Sequence, residues 1–188
     1  TERADEAEQM RHDAIFRIGL SSMNLAQYET ALSYFSQLIE KDALKVPYGD
    51  QVYYWIGEAC FHLERYAEAL EAYQQVVQRY PQSSLLSEAR YGVAWAYYSL
   101  AQWEEAANAF EQLYQADPQG EFALEALFQR GDSYLRAERY ADAETAYHII
   151  QQAFPESELS SQAQFRLGHA YYQQNQLEKA AAVLQQLL

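Results

Sequence analysis

Four histidines and one cysteine are the residues of this chain whose types invite metal or nucleophile chemistry, and their spacing denies it. His12, His62, His148 and His169 are scattered along the sequence. No His-Glu-x-x-His pair sets two imidazoles and a general base on one helix face. Cys60 stands alone, so neither an intrachain disulfide nor a zinc knuckle can form. No Gly-x-Ser-x-Gly elbow and no glycine-rich phosphate loop occurs. The reading is therefore no catalytic residue, no metal ligand, no cofactor and no enzyme. What the sequence does supply is a set of large amphipathic and charged side chains of the kind that recognise other proteins.

The elements that must position those side chains repeat. Pro81, Pro118 and Pro155 fall 37 residues apart. Gly57, Gly131 and Gly168 keep the same register, with Ala94 in the intervening slot. Ala69, Ala106, Ala143 and Ala180 form a second series, Tyr66, Trp103, Tyr140 and Leu177 a third, and Tyr73, Phe110, Tyr147 and Leu184 a fourth. An earlier copy fits one residue out of step, with Gly19, Tyr28, Ala31 and Phe35. Five copies result, bounded approximately at residues 5–42, 47–81, 84–118, 120–155 and 157–188, and a period of this size points to stacked supersecondary units.

Each copy reads as two helices. In the first, a small residue leads each copy, at Ala14, Val52, Ala89, Ala126 and Ala163, and another follows seven residues on, at Ser21, Ala59, Ala96, Ser133 and Ala170. Residues so spaced share a helix face, and this stripe admits a neighbouring helix closely. In the second helix apolar residues recur every three or four positions, as in Tyr66, Ala69, Leu70, Tyr73, Val76 and Val77, which gives one buried side. Proline ends this helix because it disfavours helix before it and lacks a donor. Ser83 and Ser157 follow two of the prolines as candidate caps. Trp103 belongs to the second-helix aromatic series and is expected in the core, and Cys60 is expected as a buried structural thiol.

Composition narrows the partners. Apolar types make up 49% of the chain, enough to bury a core. The formal net charge is −14, which repels a phosphate backbone and sets nucleic acid aside. A basic or apolar protein partner fits that field. No apolar run is long enough to span a bilayer, so no direct membrane insertion is expected.

Taken together, the small residue at Gly57, the small residue at Ala69, the aromatic at Tyr73 and the proline at Pro81 resemble the tetratricopeptide repeat pattern, and Gly131, Ala143, Tyr147 and Pro155 repeat it. The long period and the Tyr80-Pro81-Gln82-Ser83 junction resemble a bacterial subset that includes envelope proteins such as the TolA-binding cell-division coordinator and the outer-membrane assembly lipoprotein BamD. That resemblance implies an all-α, right-handed solenoid of five helix-turn-helix repeats, a single domain over 1–188, and an envelope or periplasmic location in preference to a cytoplasmic one, while the start at Thr1 without a Met and the end at Leu188 inside an apolar helical pattern point to a fragment of something longer. Departures are Ala43 where proline is expected, a longer first junction running through Pro47, Arg130 where an apolar residue is usual, and a fifth copy lacking second-helix aromatics.

The resemblance also implies that the first helices line a concave groove. One ladder of residues there is uniformly apolar, with Phe16 and Met23, Tyr54 and Phe61, Tyr91 and Tyr98, Phe128 and Leu135, then Phe165 and Tyr172. Its uniformity favours packing between adjacent first helices over a ligand groove, and both readings stay open. More variable positions carry Trp55, Glu58, His62, Trp95, Asp132, Arg136, Arg166 and His169. Trp55 and Trp95 would anchor a ligand, while Glu58 and Asp132 would pair with its Lys or Arg. The Lys, Arg and Asn pattern of a carboxylate clamp for chaperone tails is missing, since the relevant positions read Leu20, Glu58, Trp95, Asp132 and His169. The function expected is a scaffold that binds a partner peptide or helix in the groove. The alternative is a structural module that self-associates through Val183, Leu184, Leu187 and Leu188 of its last repeat.

Overall fold

Helix spacing in the sequence becomes ten helices among the described residues, 2–39 and 48–188, of a computed structural model. They are α1 (Glu2–Asn24), α2 (Tyr28–Ile39), α3 (Gly49–His62), α4 (Tyr66–Arg79), α5 (Leu86–Ser99), α6 (Trp103–Ala116), α7 (Ala123–Arg136), α8 (Tyr140–Ala153), α9 (Glu158–Gln173) and α10 (Leu177–Gln185). Consecutive pairs form five hairpins, the all-α tandem-repeat fold expected. Ala43 and Pro47 lie outside the described residues.

The stops have visible causes. Helices α4, α6 and α8 end two residues before Pro81, Pro118 and Pro155. Ser157 accepts the Ser160 N–H at 3.1 Å and caps α9. Ser83 behaves differently: its hydroxyl accepts the Leu85 N–H at 3.0 Å and donates to Asp50 Oδ2 at 2.5 Å, tying the turn before α5 to α3. Within each hairpin the turn is the same. Ala26, Glu64, Ala101, Glu138 and Asn175 all adopt φ between 55° and 59°. At each, two backbone bonds close the helix end, as with Glu64 N–H to Phe61 O at 3.0 Å and Arg65 N–H to Cys60 O at 2.9 Å. This is the Schellman geometry, made here without glycine. Acidic residues then open each second helix at its positive end, at Glu29, Glu68, Glu104, Asp142 and Glu178.

The chain forms two compact units, Thr1–Ala96 and Tyr97–Leu188, with the boundary inside α5. In the first, α1 packs on α2, α2 on α3 and α3 on α4. Its core holds Phe16, Phe35, Val52, Cys60 and Tyr73, with Tyr53, Val76 and Ala89 beside it. In the second, α6 to α10 pack in chain order around Leu127, Phe128, Tyr147, Ile150 and Leu167. Full burial of side chains of this size contributes roughly 1.5–3 kcal/mol each.

The small residues do what their stripe predicts: Ala59, Ala96, Ser133 and Ala170 are fully buried, whereas Ser21 is exposed. Tyr73 explains two glycines at once. Its ring lies so close to α3 and α5 that a Cβ at Gly57 would come within 2.5 Å of it and one at Gly92 within 2.7 Å. The Cys60 thiol is buried, and burial, the largest influence on it, pushes its pKa up to about 11, as an inert structural thiol requires. Arg130 keeps its place by pairing with Glu111 and lying 5.7 Å over the Tyr134 ring, so charge and ring occupy the slot an apolar residue would fill.

Candidate partner-binding face

In the first unit the singled-out residues are set by α3 and α5. Tyr54 and Trp55 are half-buried and meet edge to face, ring centroids 5.3 Å apart. Tyr91 and Trp95 repeat that contact at 6.1 Å. Both tryptophans are thus partly covered by their own tyrosines. Glu58 accepts the Tyr73 hydroxyl at 2.6 Å. Burial and then the Glu58 charge hold the Tyr73 phenol far above its ordinary pKa. His62 is exposed and stacks on Tyr28 across to α2, centroids 4.4 Å apart and planes 7° from parallel.

In the second unit α5, α7 and α9 bring Tyr98, Asp132, Arg136 and Arg166 together. Asp132 is buried, yet its Oδ2 accepts the Tyr98 hydroxyl at 2.9 Å and Arg136 Nε at 3.3 Å, and its Oδ1 lies 3.4 Å from Arg166 Nε. Sequence reasoning offered Asp132 to a basic group on a ligand. Its carboxylate instead holds two arginines of its own chain. Arg136 also lies 5.1 Å over both the Tyr98 and the Trp103 rings. Trp103 therefore departs from the core placement expected of it. As the first residue of α6 it covers Tyr98 edge-on at 5.1 Å and remains partly exposed.

The apolar ladder divides. Phe16 and Phe128 are buried, Phe128 against Tyr147 at 6.1 Å, while Tyr54, Tyr91 and Tyr98 are half-buried. Phe165 and Tyr172 on α9 are 57% and 62% exposed, so in the last copy the ladder faces solvent. At about 100° per residue Phe165, Arg166, His169 and Tyr172 occupy roughly a third of the α9 circumference, and all four retain accessible surface. His169 Nε2 lies 3.0 Å from the Gln173 amide nitrogen.

One feature of this face escaped the sequence reading although its signal was present. The second-helix aromatic carries a hydroxyl at Tyr73 and Tyr147, opposite the acidic Glu58 and Asp132. In the fifth copy it is Leu184, and the first helix there carries His169 in place of the acid. The hydroxyl thus accompanies the acid. Chemically, the face offers charged, aromatic and apolar contact surface. No group of His, Cys, Asp or Glu able to hold a metal ion is present among the described residues. None of their helices is long and apolar enough to cross a membrane.

Three tetratricopeptide repeat profiles match residues 13–43, 50–119 and 128–188. No curated protein sequence matches the chain. Among solved structures, a MamA crystal structure is similar at a TM-score of 0.78 and 16% identity, over 94% of this chain and 90% of that one. MamA from Desulfovibrio magneticus gives 0.73 and 18%, over 94% and 92%. Repeats of a putative kinesin light chain of Podospora anserina give 0.69 and 19%, over 95% and 93%. These structural likenesses concern the fold, and the profiles concern the sequence. On the profiles, the chain belongs to the tetratricopeptide repeat family.

Proposed function

We propose that this protein-protein interaction scaffold captures a partner peptide or helix on the exposed faces of its first helices. The observation that carries the reading is on α9: Phe165 and Tyr172 are exposed beside Arg166 and His169, apolar and polar groups on one continuous face. An amphipathic helix or extended segment matches such a face, its apolar side chains meeting the rings and its polar ones the rim. Trp55 and Trp95 extend the same chemistry to the first unit.

Peptides selected from a displayed random library supply the test. Replacing Phe165 and Tyr172 by Ala should weaken the selected peptide by at least about tenfold, or about 1.4 kcal/mol. The melting temperature should hold, since both side chains are exposed. Unchanged affinity in the double variant refutes the reading.

A second reading has its own observation. The ladder residues Phe16 and Phe128 are buried by neighbouring helices, whereas Phe165 is not. A second copy could cover Phe165, Tyr172 and Leu177 and complete that packing. Sedimentation over a dilution series decides this: a species monomeric at every concentration rules out self-association.

A further inference from the structure

A groove of about 470 Å³ lies in the first unit between α2 and α4, with α3 as its floor. Leu32 and Ser36 belong to the α2 wall, Ile56 and Cys60 to the floor, and Glu68 and Glu71 to the α4 wall. Within each helix these residues are spaced by three or four, so each pair shares one helix face. The groove is separate from the face discussed above, since Tyr54, Trp55 and Glu58 do not line it.

The repeat register explains why this space is left open. The slot of Cys60 holds Tyr97, Tyr134 and Tyr171 in the next three copies. In the second unit Tyr171 is buried between α8 and α10. Its hydroxyl donates to Glu144 Oε1 at 2.9 Å and lies 3.1 Å from His148 Nε2, while Lys179 Nζ stands 5.2 Å over its ring. Glu144, His148 and Lys179 occupy the registers of Leu32, Ser36 and Glu68. Tyr134 is buried too, with Arg139 placed 4.9 Å over its ring. The interval between second helices is thus filled there by an aromatic ring under a cation. In the first unit a small thiol replaces the ring and a carboxylate replaces the lysine.

We propose that the groove between α2 and α4 receives an aromatic side chain of a partner protein with a lysine or arginine next to it, the pair that Tyr171 and Lys179 supply from within the second unit. Charge selects the cation. Glu68 and Glu71 are exposed, and among the described residues no basic side chain pairs with either, whereas Glu29 of α2 is taken by Arg65 at 2.6 Å. Polarity selects the ring. Leu32 stands at the register where Glu144 receives the Tyr171 hydroxyl, so the α2 wall lacks that acceptor and phenylalanine fits better than tyrosine. Burial of a phenyl ring against Leu32, Ile56 and Cys60 supplies the affinity, and the two carboxylates supply the preference for a cation beside it. The proposal concerns the first unit alone and does not depend on docking at the first-helix faces.

Short acetylated and amidated peptides that differ only at two adjacent positions, Phe-Lys, Phe-Gln or Ala-Lys, test this by nuclear magnetic resonance. They are titrated into the isotope-labelled full chain, and the backbone amides of Ser36, Ile56, Cys60 and Glu71 are followed. The Phe-Lys peptide should shift these amides and bind roughly three- to fivefold tighter than Phe-Gln, the gain that exposed carboxylates supply, by a margin that shrinks with salt. Ala-Lys should leave them unmoved. Glu68→Gln combined with Glu71→Gln should erase the margin while the phenyl ring still binds. Cys60→Tyr places the protein's own ring in the space, as in the later copies, and should abolish the shifts with helicity retained. If that variant does not fold, the double glutamine variant decides alone. Groove amides unmoved by Phe-Lys at millimolar concentration overturn the proposal, as does equal affinity for Phe-Lys and Phe-Gln, or a margin unaltered in the glutamine variant. Shifts confined to α9 overturn the groove and leave docking at the first-helix face standing. Groove shifts that grow with protein concentration in the absence of peptide assign the site to a second copy and overturn the partner.

Discussion

Tyr73 donates its hydroxyl to Glu58 at 2.6 Å, whereas the hydroxyl of Tyr147, at the equivalent position two repeats later, is buried without a hydrogen-bond partner. Shortening the acid by one methylene frees it to gather Tyr98, Arg136 and Arg166 instead. Two repeats of one architecture thereby acquire different electrostatics: a partly buried tyrosine-glutamate pair in the first unit and a net cationic cluster in the second.

Asp132 carries the stability of that cluster. Asp132→Ala leaves two arginines and the Tyr98 hydroxyl without their shared acceptor, a loss of roughly 2–3 kcal/mol for hydrogen bonds to a charged group. Chemical denaturation should show the midpoint fall at unchanged slope. A variant as stable as the parent contradicts the assignment.

Gly57 is predicted to be intolerant of even a methyl group. Its Cβ would lie 2.5 Å from the Tyr73 ring, and Tyr73 is fully buried with no room to retreat. Gly57→Ala should cost about 1–3 kcal/mol through overpacking. Ala94 occupies the same slot in the third copy and is fully buried there. Ala94→Gly should cost about 1 kcal/mol for backbone entropy within a helix, so identical positions respond to opposite substitutions.

The hairpin turns hold removable strain. Ala101 and Glu138 sit at φ 56° and 58°, a region that crowds any Cβ. Ala101→Gly and Glu138→Gly should each raise stability by roughly 0.5–1 kcal/mol, since relief of strain exceeds the extra chain entropy of glycine. Asn175→Gly should change little, because asparagine tolerates this conformation. Thermal melts of the three variants give the comparison.

Alkali should unfold the protein by titrating its buried acids. Burial, followed by the hydrogen bond to Glu144, pushes Tyr171 up to about 12 from an ordinary value of 10.0, and burial pushes Cys60 up to about 11 from 9.0. Tyr54, Tyr73 and Tyr147 are raised further, in each case chiefly by burial. A raised acid favours its neutral form in the fold. Its stabilisation is whole below the ordinary pKa and is lost as pH climbs through the folded one. The window therefore opens at about pH 9 with Cys60 and deepens above about pH 10. Helical circular dichroism should hold to pH 9 and then fall, with Cys60 alkylated only as it falls. Rapid alkylation at neutral pH would contradict the burial.

Much of this protein was legible before any coordinates. The prolines, the small residues and the 3.6-residue periodicity determined five hairpins and most of the core, because each rests on local backbone chemistry or on which side of a helix is apolar. Phe128 and Phe165 show where that legibility stops. They occupy one position of one pattern, yet the first is buried and the second exposed, since burial depends on what packs across from a residue and not on its own type. Asp132 shows the same for charge. Its sequence register offered a free acid, and only the fold brought Arg136, Arg166 and Tyr98 to it. Those contacts join α5, α7 and α9, and electrostatic partnership across helices is a matter of distance, which periodicity along one helix does not encode.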